Sequence, residues 1–377
     1  YPDPFRKRRE LMAGQGITIL GGGNTAFSVA ANLHMAGAAV TLCEIPSFSQ
    51  MVEPILESRQ IELDGVAGQG TATLECVTTD FSVGLSENEL NLLIIPAYGH
   101  RAFAEACAPH LSSGQVVVLM PGTLGSLEFA RILREAGAPP DIVLAETDTA
   151  PYVCRKMTPT SAHIWGVVGG MGLGVFPGSE SQRVRQLVDR WFPGVQLYDH
   201  VVACGLAAMN PVVHPAGVLL NAGRIEYSEG DFYFYKEGIT PGVCQLIEEV
   251  DAERLAVAAA LGVSLIPVDE AFHAAGFGPR GTLLETIHGS EMLTQLRAPG
   301  GLDTRWLTED VPYGLAAWSA LGQQYGVACP TMDSLVNSIS TLLGRDFRAE
   351  RRSLADLGIE GLTREELEDL LADGQPH

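Results

Sequence analysis

The sequence has little cysteine, few positive charges and no long uninterrupted apolar segment. Its seven cysteines stand singly along the chain, no CxxC pair occurs, and their number is odd. This usage is typical of a reduced, cytoplasmic protein and argues against a disulfide scaffold or a zinc site, so we expect no metal. No apolar run reaches the length of about 18 residues that a membrane helix needs, and we therefore expect no membrane span.

Positive charge is scarce as well, because 24 lysines and arginines face 45 acidic residues and the formal net charge is −21. An acidic chain repels phosphate backbones, so nucleic acid is not an expected partner. Hydrophobic residues make up 46% and charged residues 18%, which is a globular balance. The basic residues 1–14 lack the apolar core of a signal peptide, and we interpret them as an extension before the fold.

A chain of 377 residues is expected to form two domains. In residues 1–199, apolar strands without polar alternation are separated by helices, which indicates a doubly wound parallel sheet of the Rossmann type. Residues 200–377 are mostly helical, with a capping box from Thr363 to Glu366 before the last helix. The predicted strands lie at 16–20, 38–44, within 89–100, and at 114–122 and 141–147, with one or two more in 163–178; the clearest later helices lie at 240–262 and 330–344.

A glycine-rich turn, "GGGNTA" at residues 21–26, follows the first strand and opens a helix. Gly21 allows a tight turn, Gly23 lets a pyrophosphate approach the backbone, and Ala26 lets helix and strand pack closely. The first N–H groups of the helix, from Asn24 and Thr25 onward, would bind the anion. Glycine turns after strands are common, so the pattern alone is weak, but its position favours a dinucleotide site.

Glu44 ends the second predicted strand. A carboxylate there can accept both ribose hydroxyls and would repel a 2′-phosphate, which favours NAD(H) and leaves NADP(H) as the second choice. The alternative is an ordinary exposed acid at a strand end. The turns at 94–100 and 120–126 follow strands on the same edge, and we expect some cofactor contact from them, the alternative being simple connections.

His214 is the histidine in the most suggestive setting, "NPVVHPAGVLLN". Hydride transfer to a carbonyl or imine needs a nearby proton donor, for which histidine is suited. Asn210 lies four residues earlier on the same predicted helix face, and Pro215 removes a helical hydrogen bond. A lone histidine among apolar residues is more often a core residue, so both roles stay open. The stretch 305–315 offers acids, including Asp310, that either orient the imidazole or merely cap a turn.

Several segments in both halves of the chain match one family pattern. They are "GGGNTAFSVA", "NPVVHPAGVLLNAGRIE", "FYFYKEGITPGV", "IEEVDAERLAVAAALG" and "TEDVPYGL". Together they resemble the octopine/nopaline (opine) dehydrogenase family over nearly the whole chain. The resemblance implies a Rossmann domain followed by a helical domain, with the substrates between them. It also implies reductive joining of the amine of an amino acid to a 2-oxo acid with NAD(P)H.

The resemblance also assigns roles to individual residues. His214 and Asp310 correspond to the acid–base dyad of the family. Asn210 corresponds to a substrate-binding asparagine, and Arg305 is expected near a substrate carboxylate. Thr149, in "ETDTAPYVCR", corresponds less closely to a substrate-binding threonine, because Thr147 competes for the same place.

The amine pocket is the least defined part of the prediction. The segment 221–238 is rich in aromatics and mixed charges, and it either shapes this pocket or simply packs. The turn at 120–126, which we expect near the cofactor, departs from the asparagine- and glycine-rich version of relatives, so its exact cofactor contacts are not assigned. The pocket candidates are Arg224, Tyr233 and Tyr235.

Other functions stay in view. One is reduction of a simple 2-oxo acid without an amine, as in ketopantoate reductases, and another is the reverse oxidation of an N-carboxyalkyl amino acid. A non-catalytic dinucleotide sensor would have no need of His214, Arg305 and Asp310 together. The identity of the amine and the oxo acid is not encoded in these motifs, and a homodimer is compatible with the sequence.

Overall fold

The computed structural model describes residues 14–86 and 88–374, and the predicted extension at residues 1–13 lies outside the described residues. The chain divides into two compact units. The first contains the described residues up to Val201 together with Leu371–Gly374, and the second contains Val202–Leu370. The last described residues therefore group with the first unit rather than with the segment before them.

The first unit contains two sheets and five α-helices. The helices are α1 (Asn24–Met35), α2 (Phe81–Gly84), α3 (His100–Cys107), α4 (Gly125–Glu135) and α5 (Ser181–Trp191). Its strands are β1 (Gly16–Leu20), β2 (Ala39–Cys43), β3 (Gln60–Gly65), β4 (Gly70–Thr73), β5 (Cys76–Thr78), β6 (Leu90–Leu93), β7 (Val116–Leu119), β8 (Val143–Thr147), β9 (Tyr152–Thr158), β10 (Ser161–Val167), β11 (Gly172–Phe176) and β12 (Gln196–Leu197).

The main sheet has eight strands in the order β12-β11-β8-β7-β6-β1-β2-β5. Neighbours run parallel except β8 and β11, which pair antiparallel. The apolar runs of β6 and β7 are buried throughout, as expected of strands covered on both faces. The chain goes from β1 to one side and returns to β6 on the other, so a switch point lies at the end of β1. This confirms the predicted doubly wound fold.

A second, four-stranded sheet, in the order β4-β3-β10-β9, was missed except for β10. Strand β3 alternates buried and exposed residues and is followed by the glycine-rich turn 65–70, so it lacks the continuous apolar run that marks the main-sheet strands. The sheet packs on α1, where Asn32 donates a hydrogen bond to the carbonyl of Ala67 at 2.8 Å and accepts one from Tyr152 at 2.8 Å. These bonds join β9 and the turn between β3 and β4 to the C-terminal half of α1.

The second unit is helical, as predicted. In addition to α-helices it has two π-helical turns, π1 (Phe234–Gly238) and π2 (Asp310–Leu315). The capping box is confirmed, because Thr363 and Glu366 exchange hydrogen bonds between side chain and backbone. The helices are α6 (Val201–Leu206), α7 (Asn210–Leu220), α8 (Ala222–Ser228), α9 (Pro241–Ala260), α10 (Val268–Ala274), α11 (Leu283–His288), α12 (Arg305–Thr308), α13 (Ala316–Gln324), α14 (Pro330–Leu343), α15 (Phe347–Glu350) and α16 (Arg364–Asp373).

Short 3₁₀ segments complete the connections between these elements. They lie at Pro46–Met51, Glu53–Ile55, Ala97–Gly99, Gly178–Glu180 and Leu293–Gln295. One stretch, Val201–Leu220, is long and apolar enough to span a membrane by length and composition, which the sequence analysis did not anticipate. In the folded chain 89% of it is buried, which is typical of a core helix.

Candidate active site

Two glycines of the loop after β1, Gly21 and Gly23, differ in conformation and surroundings. Gly21 has φ 118°, and a Cβ there would stand 2.6 Å from the carbonyl oxygen of Ile94, so only glycine fits this turn. A Cβ added to Gly23 would meet no atom within 4 Å, which leaves open space above the backbone. The open space lies at the N-terminus of α1, where the first N–H groups have no partner within the helix.

The side chains of the first turn of α1 contact the second sheet. Asn24 accepts a hydrogen bond from the backbone N–H of Lys156 at 2.9 Å, and Thr25 lies 3.7 Å from the sulfur of Cys154. Ala26 is fully buried, as close packing of helix and strand requires. Asn24 and Thr25 therefore offer their backbone N–H groups rather than their side chains to a bound anion.

Glu44 follows β2 at the same edge of the sheet, because Leu20 and Cys43 pair at the ends of β1 and β2. Its carboxylate accepts a hydrogen bond from the N–H of Ile45 at 2.7 Å. Burial raises the pKa of Glu44, while hydrogen bonds from the backbone of Ile45 and Gly22 and the charge of Lys156 oppose this rise. Glu44 is thus buried and not the exposed strand-end acid of the alternative prediction.

Lys156 is a cation beside Glu44 that sequence reasoning missed. Its ammonium donates a hydrogen bond to the carbonyl of Met51 at 2.7 Å and lies 3.4 Å from the ring centroid of Phe27. Burial lowers the pKa of Lys156 to about 8, and the charge of Glu44 opposes this shift. Lys156 belongs to β9, which no local pattern marked as a strand.

The turn at 120–126 is organised by Glu146, a buried acid of β8. Its carboxylate accepts hydrogen bonds from the N–H groups of Leu124 at 2.9 Å and Ser126 at 3.1 Å, and from the Ser126 hydroxyl at 2.6 Å. These bonds hold Thr123 and Leu124 in left-handed conformations, with φ 47° and 68°. Glu146 thus fixes the start of α4 at the carboxyl end of β7.

The segment after β8 contains Thr149, the substrate candidate of the first unit. The hydroxyl of Thr147 donates a hydrogen bond to the carbonyl of Thr149 at 2.8 Å, so Thr147 shapes the turn. Between them, Asp148 accepts hydrogen bonds from the N–H of Gly172 at 2.9 Å and the hydroxyl of Tyr198 at 3.2 Å. Burial raises the pKa of Asp148 to about 6.

In the second unit, His214 and Asp310 are brought together although they lie 96 residues apart in sequence. Nδ1 of His214 lies 2.8 Å from Oδ2 of Asp310, and both side chains are buried. Burial raises the pKa of Asp310, while the hydrogen bond and the charge of His214 oppose this rise. The two residues that the resemblance pairs are therefore hydrogen-bonded to each other.

Two aromatic residues complete the surroundings of His214. Nε2 of His214 lies 3.0 Å from the hydroxyl of Tyr235, and the indole of Trp306 stacks on the imidazole at 4.3 Å between centroids and 5° between planes. Burial, followed by the charge of Asp310, raises the pKa of Tyr235 further above its ordinary value. Sequence reasoning named Tyr235 only as a pocket candidate and missed Trp306, whose place depends entirely on tertiary packing.

The local sequence explains how these groups meet on α7. A Cβ on Gly217, one turn after His214, would stand 2.6 Å from the ring of Phe234, and one on Gly314 would overlap Pro211. The two glycines thus allow π1 and π2 to approach α7 closely. Both turns have π-helical geometry, which is rare and concentrated at functional sites.

Arg305 and Asn210 lie near this centre in the same unit. The Nε of Arg305 donates a hydrogen bond to Glu309 at 2.6 Å, and the arginine side chain is 54% exposed while Glu309 is buried. Asn210 is exposed at the first turn of α7, four residues before His214. The guanidinium of a half-exposed arginine is suited to binding a carboxylate.

The remaining pocket candidates have local partners. Arg224 forms an ion pair with Glu237, and Tyr233 stacks against the guanidinium of Arg297 at 4.3 Å. In the described part of the chain, no group of three His, Cys, Asp or Glu side chains could hold a metal ion.

Comparison with known proteins identifies one family. A family model described as NAD/NADP octopine/nopaline dehydrogenase, alpha-helical domain, matches residues 197–343. The chain is 34% identical over 354 residues to the opine dehydrogenase of Arthrobacter sp. (strain 1C), and the match covers 94% of this chain and 98% of that protein.

Two solved structures share the fold over nearly the whole chain. One is octopine dehydrogenase with NADH and L-arginine, at a TM-score of 0.75 and 18% identity, covering 96% of this chain and 99% of the other. The second is yersinopine dehydrogenase with NADP⁺, at a TM-score of 0.70 and 16% identity, covering 95% and 98%.

Proposed function

The chain belongs to the octopine/nopaline dehydrogenase family, and on that premise we propose that His214 and Asp310 are its acid–base pair. The protein is an NAD(P)-dependent oxidoreductase that acts on CH–NH bonds and joins a 2-oxo acid to an amine by reductive condensation. The observation that supports the pair most directly is the buried 2.8 Å contact between His214 Nδ1 and Asp310 Oδ2.

The pair acts by holding and moving one proton. Asp310 accepts the Nδ1–H of His214, which fixes the tautomer and stabilises the imidazolium when it forms. His214 is then the proton donor for the oxygen of the oxo acid, which must leave as water when the imine forms. Stacking of Trp306 keeps the ring in the plane of its hydrogen bonds.

Arg305 binds a substrate carboxylate. Glu309 accepts a hydrogen bond from Nε of Arg305, and the arginine side chain is 54% exposed. A guanidinium can bind a carboxylate through two parallel N–H···O bonds. Such a pair of bonds fixes the position of the neighbouring carbonyl carbon. Holding the reacting atom in the correct orientation lowers the entropic part of the activation barrier. Asn210 and Thr149 are the further substrate contacts that we propose.

The cofactor site is the loop after β1. Gly23 and the first N–H groups of α1 fit a pyrophosphate, and Glu44 fits the ribose hydroxyls. When bound, NAD(P)H supplies the hydride that reduces the imine. We propose NADH as the preferred cofactor because of Glu44, with NADPH tolerated because the Lys156 ammonium is close to the same carboxylate.

The test of the function is a panel of 2-oxo acids against amino acids, followed by NADH absorbance. NADH consumption that requires both substrates supports an opine dehydrogenase. Consumption with the oxo acid alone would instead indicate a reductase of simple 2-oxo acids. Oxidation of an N-carboxyalkyl amino acid with NAD⁺ measures the reverse reaction in the same assay.

The test of the site is His214→Ala. We expect turnover to fall to background while NADH affinity stays within about twofold of wild type, because the loop and the histidine lie in different units. Retained turnover would remove His214 from the mechanism. Loss of folding, measured by circular dichroism, would instead assign His214 to the core.

We also propose a cellular location and an oligomeric state. All seven cysteines are free thiols, which supports the predicted cytoplasmic location. The predicted homodimer stays a prediction, and sedimentation of the purified protein would check it.

A further inference from the structure

The nitrogen of His214 that would serve the substrate already has a partner. An imidazole nitrogen has one in-plane position for a hydrogen bond, and at Nε2 this position is filled by the Tyr235 hydroxyl at 3.0 Å. Nδ1 is occupied by Asp310. A substrate oxygen therefore has no vacant in-plane position on His214 in this arrangement.

We propose that Tyr235 passes the proton between His214 and the reacting atoms of the substrate, so that the proton-transfer chain is Asp310–His214–Tyr235–substrate. This inference rests on the proposed function and adds a residue to it. It makes Tyr235, rather than His214, the side chain that touches the substrate oxygen.

Packing around the chain keeps the two rings in place. Trp306 covers one face of the imidazole, and Phe234 packs edge-on against Tyr235 at 5.1 Å and against Trp306 at 4.7 Å between centroids. His214 and Tyr235 are both buried. Rotation of either ring would disturb this aromatic cluster, so direct contact of the substrate with Nε2 is more costly than transfer through the hydroxyl.

The hydrogen-bond directions reverse when His214 changes its protonation state. Neutral His214 donates from Nδ1 to Asp310 and accepts from the Tyr235 hydroxyl at Nε2. Once His214 is protonated, Nε2–H donates to the Tyr235 oxygen, and the tyrosine O–H must turn to another acceptor. We assign that acceptor to the substrate oxygen.

The proton balance of the reaction fits this relay. The amine is an ammonium in solution; its nitrogen loses two protons, and the carbonyl oxygen gains two and leaves as water. For each proton delivered, the Nε2–H bond breaks as a bond to the tyrosine oxygen forms, and the old tyrosine O–H bond breaks as a substrate O–H bond forms. Tyr235 is neutral before and after each transfer. Uptake from nitrogen follows the same path in reverse.

The decisive variant is Tyr235→Phe, which removes the hydroxyl and keeps the ring against Phe234 and Trp306. We expect kcat to fall by about 100-fold, in the range of a lost proton-transfer group. NADH affinity, measured by fluorescence titration, should stay within about twofold of wild type. The matched control is Tyr325→Phe, because that hydroxyl donates to the carbonyl of Leu362 at 3.2 Å in the same unit; its kcat should not change.

Two further measurements separate transfer from positioning. Nitrogen NMR of His214 in Tyr235→Phe should still show the proton on Nδ1, since Asp310 is intact. A change of tautomer would mean that Tyr235 only positions the ring. The kcat of the double variant His214→Ala/Tyr235→Phe should be no lower than that of His214→Ala alone. Once one residue of a proton relay is removed, the other no longer contributes to catalysis. An additive loss would contradict the relay.

The failure of this inference is distinct from the failure of the proposed function. If Tyr235→Phe keeps kcat within about threefold of wild type, His214 reaches the substrate directly and the relay is wrong. The family activity would then be untouched. If wild type fails to consume NADH with any pair of substrates in the panel, the proposed function is wrong whatever the variant does.

Discussion

The glycine loop of the first unit and the histidine centre of the second use opposite kinds of chemistry. The loop offers backbone N–H groups and works because Gly23 lacks a side chain. The centre depends on three side chains from separate segments. His214 lies between the other two, 2.8 Å from the Asp310 carboxylate and 3.0 Å from the Tyr235 hydroxyl. A backbone site is destroyed by atoms that are added, and a side-chain site by atoms that are removed.

The difference also decides how each site is coupled to stability. In the loop, the fold requires glycine at position 21, whereas glycine at position 23 only keeps the space above the backbone open for a ligand. Substitutions at the two positions therefore separate effects on folding from effects on binding. In the centre, His214, Tyr235 and Asp310 are buried and hydrogen-bonded in a row, so a variant must keep size and hydrogen-bonding shape to test function alone.

The largest expected effect is at the centre, in Asp310→Asn. The amide keeps the shape but loses the charge that stabilises the imidazolium, so we expect kcat to fall by about 1000-fold. NADH affinity should not change. Asp333→Asn is a suitable control, because that carboxylate contacts Ser319 and Arg348 elsewhere in the unit. A loss of less than about tenfold would show that the charge of Asp310 is not used.

The second prediction sets two loop glycines against each other. Gly23→Ala should fold normally and weaken NADH binding by about 100-fold, because the methyl group fills the space over the backbone. Gly21→Ala should lower stability by about 1–3 kcal/mol, since φ 118° is unfavourable for alanine and its Cβ meets Ile94. Titration of NADH and thermal unfolding measure both. Unchanged NADH binding in Gly23→Ala would remove the loop from the cofactor site.

The same contrast explains what could be predicted from the sequence. The β1–loop–α1 unit, Glu44 and the strands β6 to β8 were predictable, because their signals are local: apolar runs, glycines and a strand end. His214 was left undecided on its own residues, since its partner Asp310 is 96 residues away. The pair was identified through resemblance to a family, not through spacing.

Residues that acquire their role only by packing were missed. Lys156 lies on β9, whose mostly exposed or half-buried residues lack the continuous apolar run of the main-sheet strands. Trp306 is an ordinary aromatic until α12 places it on the imidazole. Tyr235 was a pocket candidate among others, and nothing in its segment indicates a bond to His214.

The third prediction concerns pH and a side-chain network in the first unit. Asp148 has its pKa raised to about 6, so its protonated form stabilises the fold fully below about pH 3.8, and this contribution is lost as the pH rises through about 6. Asp148→Asn imitates the protonated acid. Its stability relative to wild type should therefore increase by about 2 kcal/mol between about pH 4 and about pH 7, after allowance for partial exposure. The measurement is the free energy of unfolding of both proteins at each pH. A difference between variant and wild type that stays constant from about pH 4 to about pH 7 would contradict the raised pKa.

The smallest expected effect is at Lys156, where the first unit does use a charged side chain. Lys156→Met keeps the stem over Phe27 and removes the ammonium beside Glu44, so NADPH affinity should fall by about tenfold and NADH affinity by less than about threefold. Because the pKa of Lys156 is about 8, the positive charge is lost as the pH rises, and the preference of wild type for NADH should increase between about pH 7 and about pH 9. Arg155→Met removes an exposed charge from the opposite face of β9 and should change neither affinity. Equal losses for both cofactors in Lys156→Met would assign Lys156 to packing, and the loop would then be a site of backbone atoms and Glu44 alone.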